Sequence, residues 1–155
     1  MVKRQDKKNE KKFEEVLLEV RRVTRVTTGW RQMSFRATML VGNRKWKIGI
    51  GTAKGNDVLS AIKKATHEAY KSIADVTITE NGSVPYARVI KYKSAVVKLL
   101  PAAPGTWLKA WSSVRRVLEL AGYTNILSKI VGTTNKLNNA KAAIKALSTF
   151  KNRVR

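Results

Sequence analysis

The stretch "QMSFRATMLVGNRKWKIGI", Gln32 to Ile50, decides the fold class, because its apolar residues recur every second position on both sides of a turn. Met33, Phe35, Ala37, Met39 and Val41 share one face, and Ser34, Arg36 and Thr38 share the other. After "GNRK", Trp46, Ile48 and Ile50 alternate with Lys45 and Lys47. Val23 to Ile50 therefore reads as three antiparallel strands with a basic exposed face. Downstream, Val58, Ile62, Ala65, Ala69 and Ile73 recur at helical spacing behind Asn56 or Asp57, either of which suits an N-cap. Three strands and a helix thus close a unit near Ala74.

Upstream, "FEEVLLEVRRVTRVT", Phe13 to Thr27, fits either period: Phe13, Val16, Leu17 and Val20 are helically spaced, while Arg21, Val23 and Arg25 alternate. Residues 1–12 read as a flexible basic arm, too poor in apolar groups to order themselves. In "VTITENGSVPYARVIKYK", Val76 to Lys93, the Asn81-Gly82 pair predicts a hairpin, and Tyr86 to Val97 predicts a second one. "LLPAAPGTW", Leu99 to Trp107, reads as a rigid joint. Pro101 ends a strand, Pro104 biases Ala103 toward extended backbone, and Thr106 is placed to cap a helix over 107–121. That helix is expected to bury Trp107, Trp111, Val114, Leu118 and Ala121 and to stop at Gly122. A strand near Asn125–Val131 and a last helix carrying Leu137, Ala140, Ile144 and Leu147 complete the chain. The class is α+β, in two small modules with a boundary near residues 75–84.

Charge points to the partner. The chain has 32 Lys and Arg against 10 Asp and Glu, a net charge of +22. Nine basic residues and no acid lie between Val20 and Asn56, and Glu119 is the one carboxylate after Glu80. Such a chain repels itself until a polyanion neutralises it, and counterion release then drives association. With no cysteine, disulfides, thiolate chemistry and cysteine-based zinc sites are excluded. No apolar run approaches a membrane span, and the single histidine, His67, sits on a lysine-rich helix face without a partner suited to catalysis. No cofactor, metal, membrane or small-molecule substrate is expected.

Two stretches are candidates for contact with RNA. "VTRVTTGWRQ", Val23 to Gln32, joins two strands through a basic tip where Arg25, Trp30 and Arg31 can meet phosphates and bases. "GIGTAKG", Gly49 to Gly55, lacks the parallel strand–helix–strand context of a dinucleotide site. Its glycines either let backbone approach an RNA phosphate beside Lys54 or serve the fold alone.

In order and at matching spacing, "FEEVLLEVRRVTRVTTGWR", "SFRATMLVG", "GIGTAK", "AIKKA", "NGSVPY", "LLPAAPGTW", "VRRVLELAGYTNIL" and "GTTNKLNNAKAAIKAL" resemble the bacterial-type small-subunit ribosomal protein five family. The resemblance implies a double-stranded-RNA-binding-like domain over 13–76 and a C-terminal α+β domain over 84–150 with a left-handed βαβ crossover, followed by a basic tail at 151–155. It also implies that Phe13 to Thr27 is strand throughout. By the same resemblance the protein is cytoplasmic in the small ribosomal subunit, where it binds 16S rRNA at the junction of head and body. There it would touch ribosomal proteins four and eight, line the mRNA entry region, and influence assembly and decoding accuracy.

Carried over by position, the RNA-binding residues are Arg21, Arg22, Arg25, Thr27, Thr28, Gly29, Trp30, Arg31, Arg36, Lys45, Lys47, Gly51 and Lys54. The Val23–Arg31 loop matches the family's rRNA-inserting finger, near where spectinomycin acts. Pro104, Gly105, Thr106, Arg115 and Arg116 match a protein interface, Arg115 being the arginine tied to protein four and accuracy. The chain departs from the family where Trp30, Trp107 and Trp111 stand for usual glycines and Lys136 for a usual proline. Two other classes compete with the ribosomal reading: a free-standing double-stranded-RNA-binding module, and a small nucleic-acid enzyme, against which the lack of any acid–base pair counts.

Overall fold

Alternation carries β1 (Glu14–Thr27), β2 (Trp30–Gly42) and β3 (Lys47–Gly55) into an antiparallel meander, and β4 (Ala74–Asp75) adds a short fourth strand in the order β1-β2-β3-β4. This computed structural model describes residues 13–150; the arm expected at 1–12 and the tail expected at 151–155 lie outside the described residues. The segment expected as strand from Phe13 is strand from Glu14 to Thr27, with Phe13 just outside it and one register shift between Leu17 and Glu19. The β2–β3 turn is closed by Asn43, whose Oδ1 accepts from the Lys45, Trp46 and Lys47 amides at 2.9, 3.0 and 2.9 Å. Trp46 therefore belongs to that turn and is 50% exposed, not a core residue beside Ile48.

Helix α1 (Val58–Lys71) begins at Asp57, which caps through its backbone only, and lays Ala61, Ala65 and Ala69 on the sheet. Small residues on both sides let helix and sheet backbones touch: a Cβ at Gly51 would fall 2.0 Å from the Ala65 carbonyl oxygen, and one at Gly49 2.3 Å from that of Ala69. Lys63, Lys64, His67 and Lys71 are exposed, as their spacing predicts.

The second sheet has the order β5-β6-β8-β7, built from β5 (Arg88–Tyr92), β6 (Ala95–Pro101), β7 (Leu108–Lys109) and β8 (Ile126–Val131). Helices α2 (Ser112–Ala121) and α3 (Lys136–Ser148) bury Val114, Val117, Leu118, Ala143, Ile144 and Leu147 with Val97 and Leu99 of β6. β7 and β8 are parallel, with α2 as the crossover between them. Asn135 caps α3 by accepting from the Leu137 amide at 3.1 Å.

The helix expected over 107–121 starts five residues later. Leu108 and Lys109 pair with Ile126 and Leu127 of β8, so these residues are strand, and Trp107 turns the chain at φ 63°. Trp107 and Trp111, expected in the core, are 76% and 79% exposed. Thr106 is not the cap: its amide donates to the Ala103 carbonyl at 3.2 Å within the joint, and Trp111 precedes the helix without a side-chain cap. Gly122 stops the helix at φ 99°, as expected.

The Asn81-Gly82 turn forms, with Gly82 N–H on the Thr79 carbonyl at 2.8 Å, but no strands flank it. Its outward groups are taken by the second unit: Gly82 O accepts from the Thr124 and Asn125 amides, and Thr77 O accepts from the Tyr123 hydroxyl at 2.7 Å. Burial raises the pKa of that hydroxyl. Nor is the face of the first sheet opposite α1 wholly basic. Its Leu40 and Ile48 end is buried in the same core as Val117 and Leu118, and the Arg44 amide donates to Leu120 O at 2.8 Å. Only the other end of that face stays open.

Candidate nucleic-acid interface

β3 ends at Gly55 opposite Phe35, so Val23–Thr27 and Trp30–Ser34 pair only with each other. At about 3.4 Å per residue this gives a two-stranded ribbon of about 17 Å. Every residue from Thr24 to Met33 is exposed, including Val26 at 67%, Trp30 at 71% and Met33 at 58%. The turn is Thr28-Gly29, with Gly29 at φ 73°, a conformation that glycine adopts without penalty. Such a ribbon buries almost nothing by itself, so its apolar and aromatic surface is available to a partner.

Register places Arg21, Arg36 and Lys54 side by side across three strands, on the face opposite α1. Arg25 lies farther along that face, opposite Gln32. Like charges directly opposed destabilise a sheet unless something neutralises them. The carboxylate at hand is Glu19, which accepts from Arg21 Nε at 2.7 Å. Arg22 and Arg31 project from the other face of the ribbon, since they alternate with Arg21 and Trp30. The fold thus gathers Arg21, Arg22, Arg25, Thr27, Thr28, Gly29, Trp30, Arg31, Arg36 and Lys54 at one end of the first sheet.

Lys45 and Lys47 are not part of this group. They lie at the other end of the sheet, Lys45 in the β2–β3 turn and Lys47 at the start of β3, seven residues or about 24 Å along the strand from Lys54, where Lys47 Nζ sits 3.8 Å from Asp75. There Arg44 also pairs with Glu14, whose carboxyl its hydrogen bond holds below the usual range. Gly51, expected among the RNA-binding residues, is not one of them. It is buried beneath α1 and offers no surface to a phosphate; its missing side chain makes room for the helix.

In the joint, Pro104 and Gly105 are exposed and Thr106 is half-buried. Arg115 and Arg116 project from α2 as expected, yet both already face one carboxylate: Arg115 Nε donates to Glu119 at 2.8 Å, and Arg116 lies 3.6 Å from the same group. The joint does not aim this helix directly, because β7 intervenes.

Sequence reasoning missed Asn125. Its Oδ1 accepts from the Gly105 and Trp107 amides, both at 3.2 Å, and its Nδ2 donates to Asn81 O at 2.9 Å. It clasps the joint to the 79–83 turn, and nothing local in the sequence signals a bond spanning 44 residues. Asn125→Ala is expected to cost about 1–2 kcal/mol, which lowers the melting temperature by about 2–8 °C; an unchanged melt would show that the prolines hold the joint alone.

All four tryptophans are at least half exposed, at 71, 50, 76 and 79% for Trp30, Trp46, Trp107 and Trp111. Tryptophan is ordinarily mostly buried, so an exposed set implies recognition surfaces. Among the described residues, no group of His, Asp or Glu is arranged to hold a metal, and no helix is long and apolar enough to cross a membrane.

Comparison with known proteins gives two matches that together span most of the chain: residues 13–77 match the N-terminal domain of ribosomal protein S5, and residues 90–154 match its C-terminal domain. The small ribosomal subunit protein uS5 of Trichormus variabilis is 43% identical over 145 residues, covering 94% of this chain and 83% of that protein. The uS5c protein of Rhodomonas salina is 43% identical over 147 residues, covering 94% and 86%. That of Thermosynechococcus vestitus is 42% identical over 139 residues, covering 90% and 80%.

Proposed function

Because the chain belongs to the ribosomal protein S5 family, we propose that its β1–β2 finger seats it on 16S rRNA near the junction of head and body. The protein is a structural, non-enzymatic constituent of the small ribosomal subunit. The finger carries the finer reading: an exposed ribbon with Arg21, Arg25, Arg36 and Lys54 on one face, Arg22 and Arg31 on the other, and Trp30 at its tip. Arginine forks and an indole suit the phosphates and unstacked bases of a folded RNA. Assembly in the cytoplasm, contacts with proteins four and eight, and a place beside the mRNA entry belong to the same proposal.

Binding of the full chain to small-subunit rRNA is expected to fall steeply with salt. With at least about five phosphates neutralised, the logarithmic slope is about −3.5 or steeper. A slope near zero in a titration would remove the electrostatic basis of the proposal, and failure to co-sediment with small subunits at moderate salt would remove the assembly itself.

The α2 arginines carry the proposed contact with protein four. Glu119 answers two guanidinium groups at once, so the face keeps net positive charge for a partner's carboxylates. Arg115→Glu breaks the bond to Glu119 and sets two acids one turn apart. It is expected to change stop-codon readthrough while leaving rRNA binding largely intact. Unchanged readthrough in ribosomes that incorporate the variant normally would leave α2 as scaffold.

A further inference from the structure

Away from the finger, exposed aromatic surface gathers on one edge of the second sheet. Along 107–111 exposure alternates: Trp107, Lys109 and Trp111 are exposed, while Leu108 and Ala110 pack on the core. β7 is the last strand of its sheet, so this edge meets solvent. The strand itself covers only Leu108 and Lys109, and Trp107 turns the chain at φ 63°, so the two indoles flank this short edge strand with a cation between them in the chain.

Beside Trp111 opens a cleft of about 530 Å³, lined also by Ser112, Ile130, Thr133, Thr134 and Asn139. Asn139 is 2% exposed; its Nδ2 donates to Thr133 O at 2.9 Å, and its Oδ1 has no partner among the described residues. A buried acceptor left unanswered is costly, and a ligand N–H would satisfy it. On the same cleft α2 begins at Ser112 with no side-chain cap and no acid in its first turn, so its leading amides are ready for an anion. The cleft thus wants a donor at one point and a negative group at another, as a nucleotide supplies.

We propose that this edge binds an unpaired segment of RNA. Bases stack on Trp107 and Trp111, and Lys109 meets the phosphate between them. A ring or exocyclic N–H of the base at Trp111 donates to Asn139 Oδ1, and a phosphate takes the first amides of α2. Charge favours RNA over protein: after Glu80 the sole carboxylate is Glu119, already engaged by Arg115 and Arg116. An apolar peptide laid across the two rings would strand Lys109 without a counter-charge. The platform shares no residue with the finger, so it stands or falls apart from it.

Fluorescence anisotropy with two labelled RNAs tests the platform: an oligouridylate of about ten nucleotides and a duplex of the same length, each titrated with the full chain. Trp107→Gly with Trp111→Ala is expected to weaken the single strand by at least about 10-fold, stacking being the main sequence-tolerant contribution, and to leave duplex affinity within about twofold. Lys109→Ala is expected to flatten the single-strand salt slope by about 0.7. Both indoles are exposed and φ 63° at Trp107 suits glycine, so the double variant is expected to fold; Trp111→Ala alone repeats the test with the joint untouched. Unchanged single-strand affinity overturns the platform, as does an equal loss on both RNAs. Unchanged RNA affinity together with failure to enter the small subunit also overturns it, in favour of a protein on this face. Chemical probing of small subunits with and without message distinguishes rRNA from mRNA as the strand held. Arg25→Ala with Arg31→Ala, run alongside, reports on the finger separately through the duplex.

Discussion

Gly51→Ala is expected to lower the stability of the protein by about 3 kcal/mol, at the upper end of what an added methyl costs in a packed interface. For a chain of this size that is a fall in melting temperature of about 6–12 °C. The new Cβ would meet the Ala65 carbonyl oxygen at 2.0 Å and the Ala69 amide nitrogen at 2.3 Å. Both are helix backbone atoms that no rotamer change can move aside. Helix α1 must lift as a body, loosening Ala61 and Ala65 from Ala37 and Met39 and opening the smaller of the two cores. Thermal unfolding of the variant checks this. A glycine placed for RNA would give the opposite result, an unchanged melt with weakened RNA binding, and that outcome would restore the phosphate-contact reading of Gly49–Gly55. Gly105→Ala makes a control, since nothing lies within 4 Å of its Cβ, and φ 86° alone makes that change costly, by about 1 kcal/mol.

Removing Arg25 and Arg31 together is expected to weaken rRNA binding by about 100-fold, because two charged hydrogen-bonding contacts are worth about 3 kcal/mol combined. The salt slope should flatten by about 1.4–1.8. Lys141→Ala with Lys145→Ala removes the same formal charge from α3 and is expected to change affinity by less than about threefold, as loss of diffuse charge does at moderate salt. The difference rests on presentation. Arg25 and Arg31 stand on a ribbon that pairs with no third strand and is exposed from Thr24 to Met33, where a shaped RNA can surround both faces. Lys141 and Lys145 lie along a helix whose neighbours Ala142, Ala143 and Ile144 are buried, so only a shallow flank is open. Equal losses in parallel titrations would mean that recognition rests on net charge, and the finger would lose its special standing.

Much of the first unit was legible from the chain. Alternation over Gln32–Ile50, the stripe of α1 and the acid-free run from Val20 to Asn56 locate the meander, its helix and the basic finger. Phe13–Thr27 was not legible from its residues, since both periods fit, and the family resemblance settled it as strand. The candidate site was half legible. The finger residues come together because hairpin neighbours are near in sequence, whereas Lys45, Lys47 and Gly51 part from them once the sheet has a length and a covered face.

What the sequence determined by itself is whatever depends on neighbours within a turn or a strand pair: the period of each element, the stops at Pro101 and Gly122, the sign of the charge, and the family. Tertiary structure alone decided what each apolar face meets. Trp107 and Trp111 fit the stripe of a helix, but Leu108 and Lys109 find hydrogen-bonding partners 18 residues away in β8, so the helix starts only at Ser112 and both indoles turn outward. The Asn81-Gly82 turn has the chemistry of a hairpin, but Thr124, Asn125 and Tyr123 take the groups a ladder would need. Leu40 and Ile48 alternate as in a half-wet strand, and the second unit covers the face they occupy. A periodic pattern records which side chains point the same way; only the packed chain determines whether core, water or RNA lies in front of them.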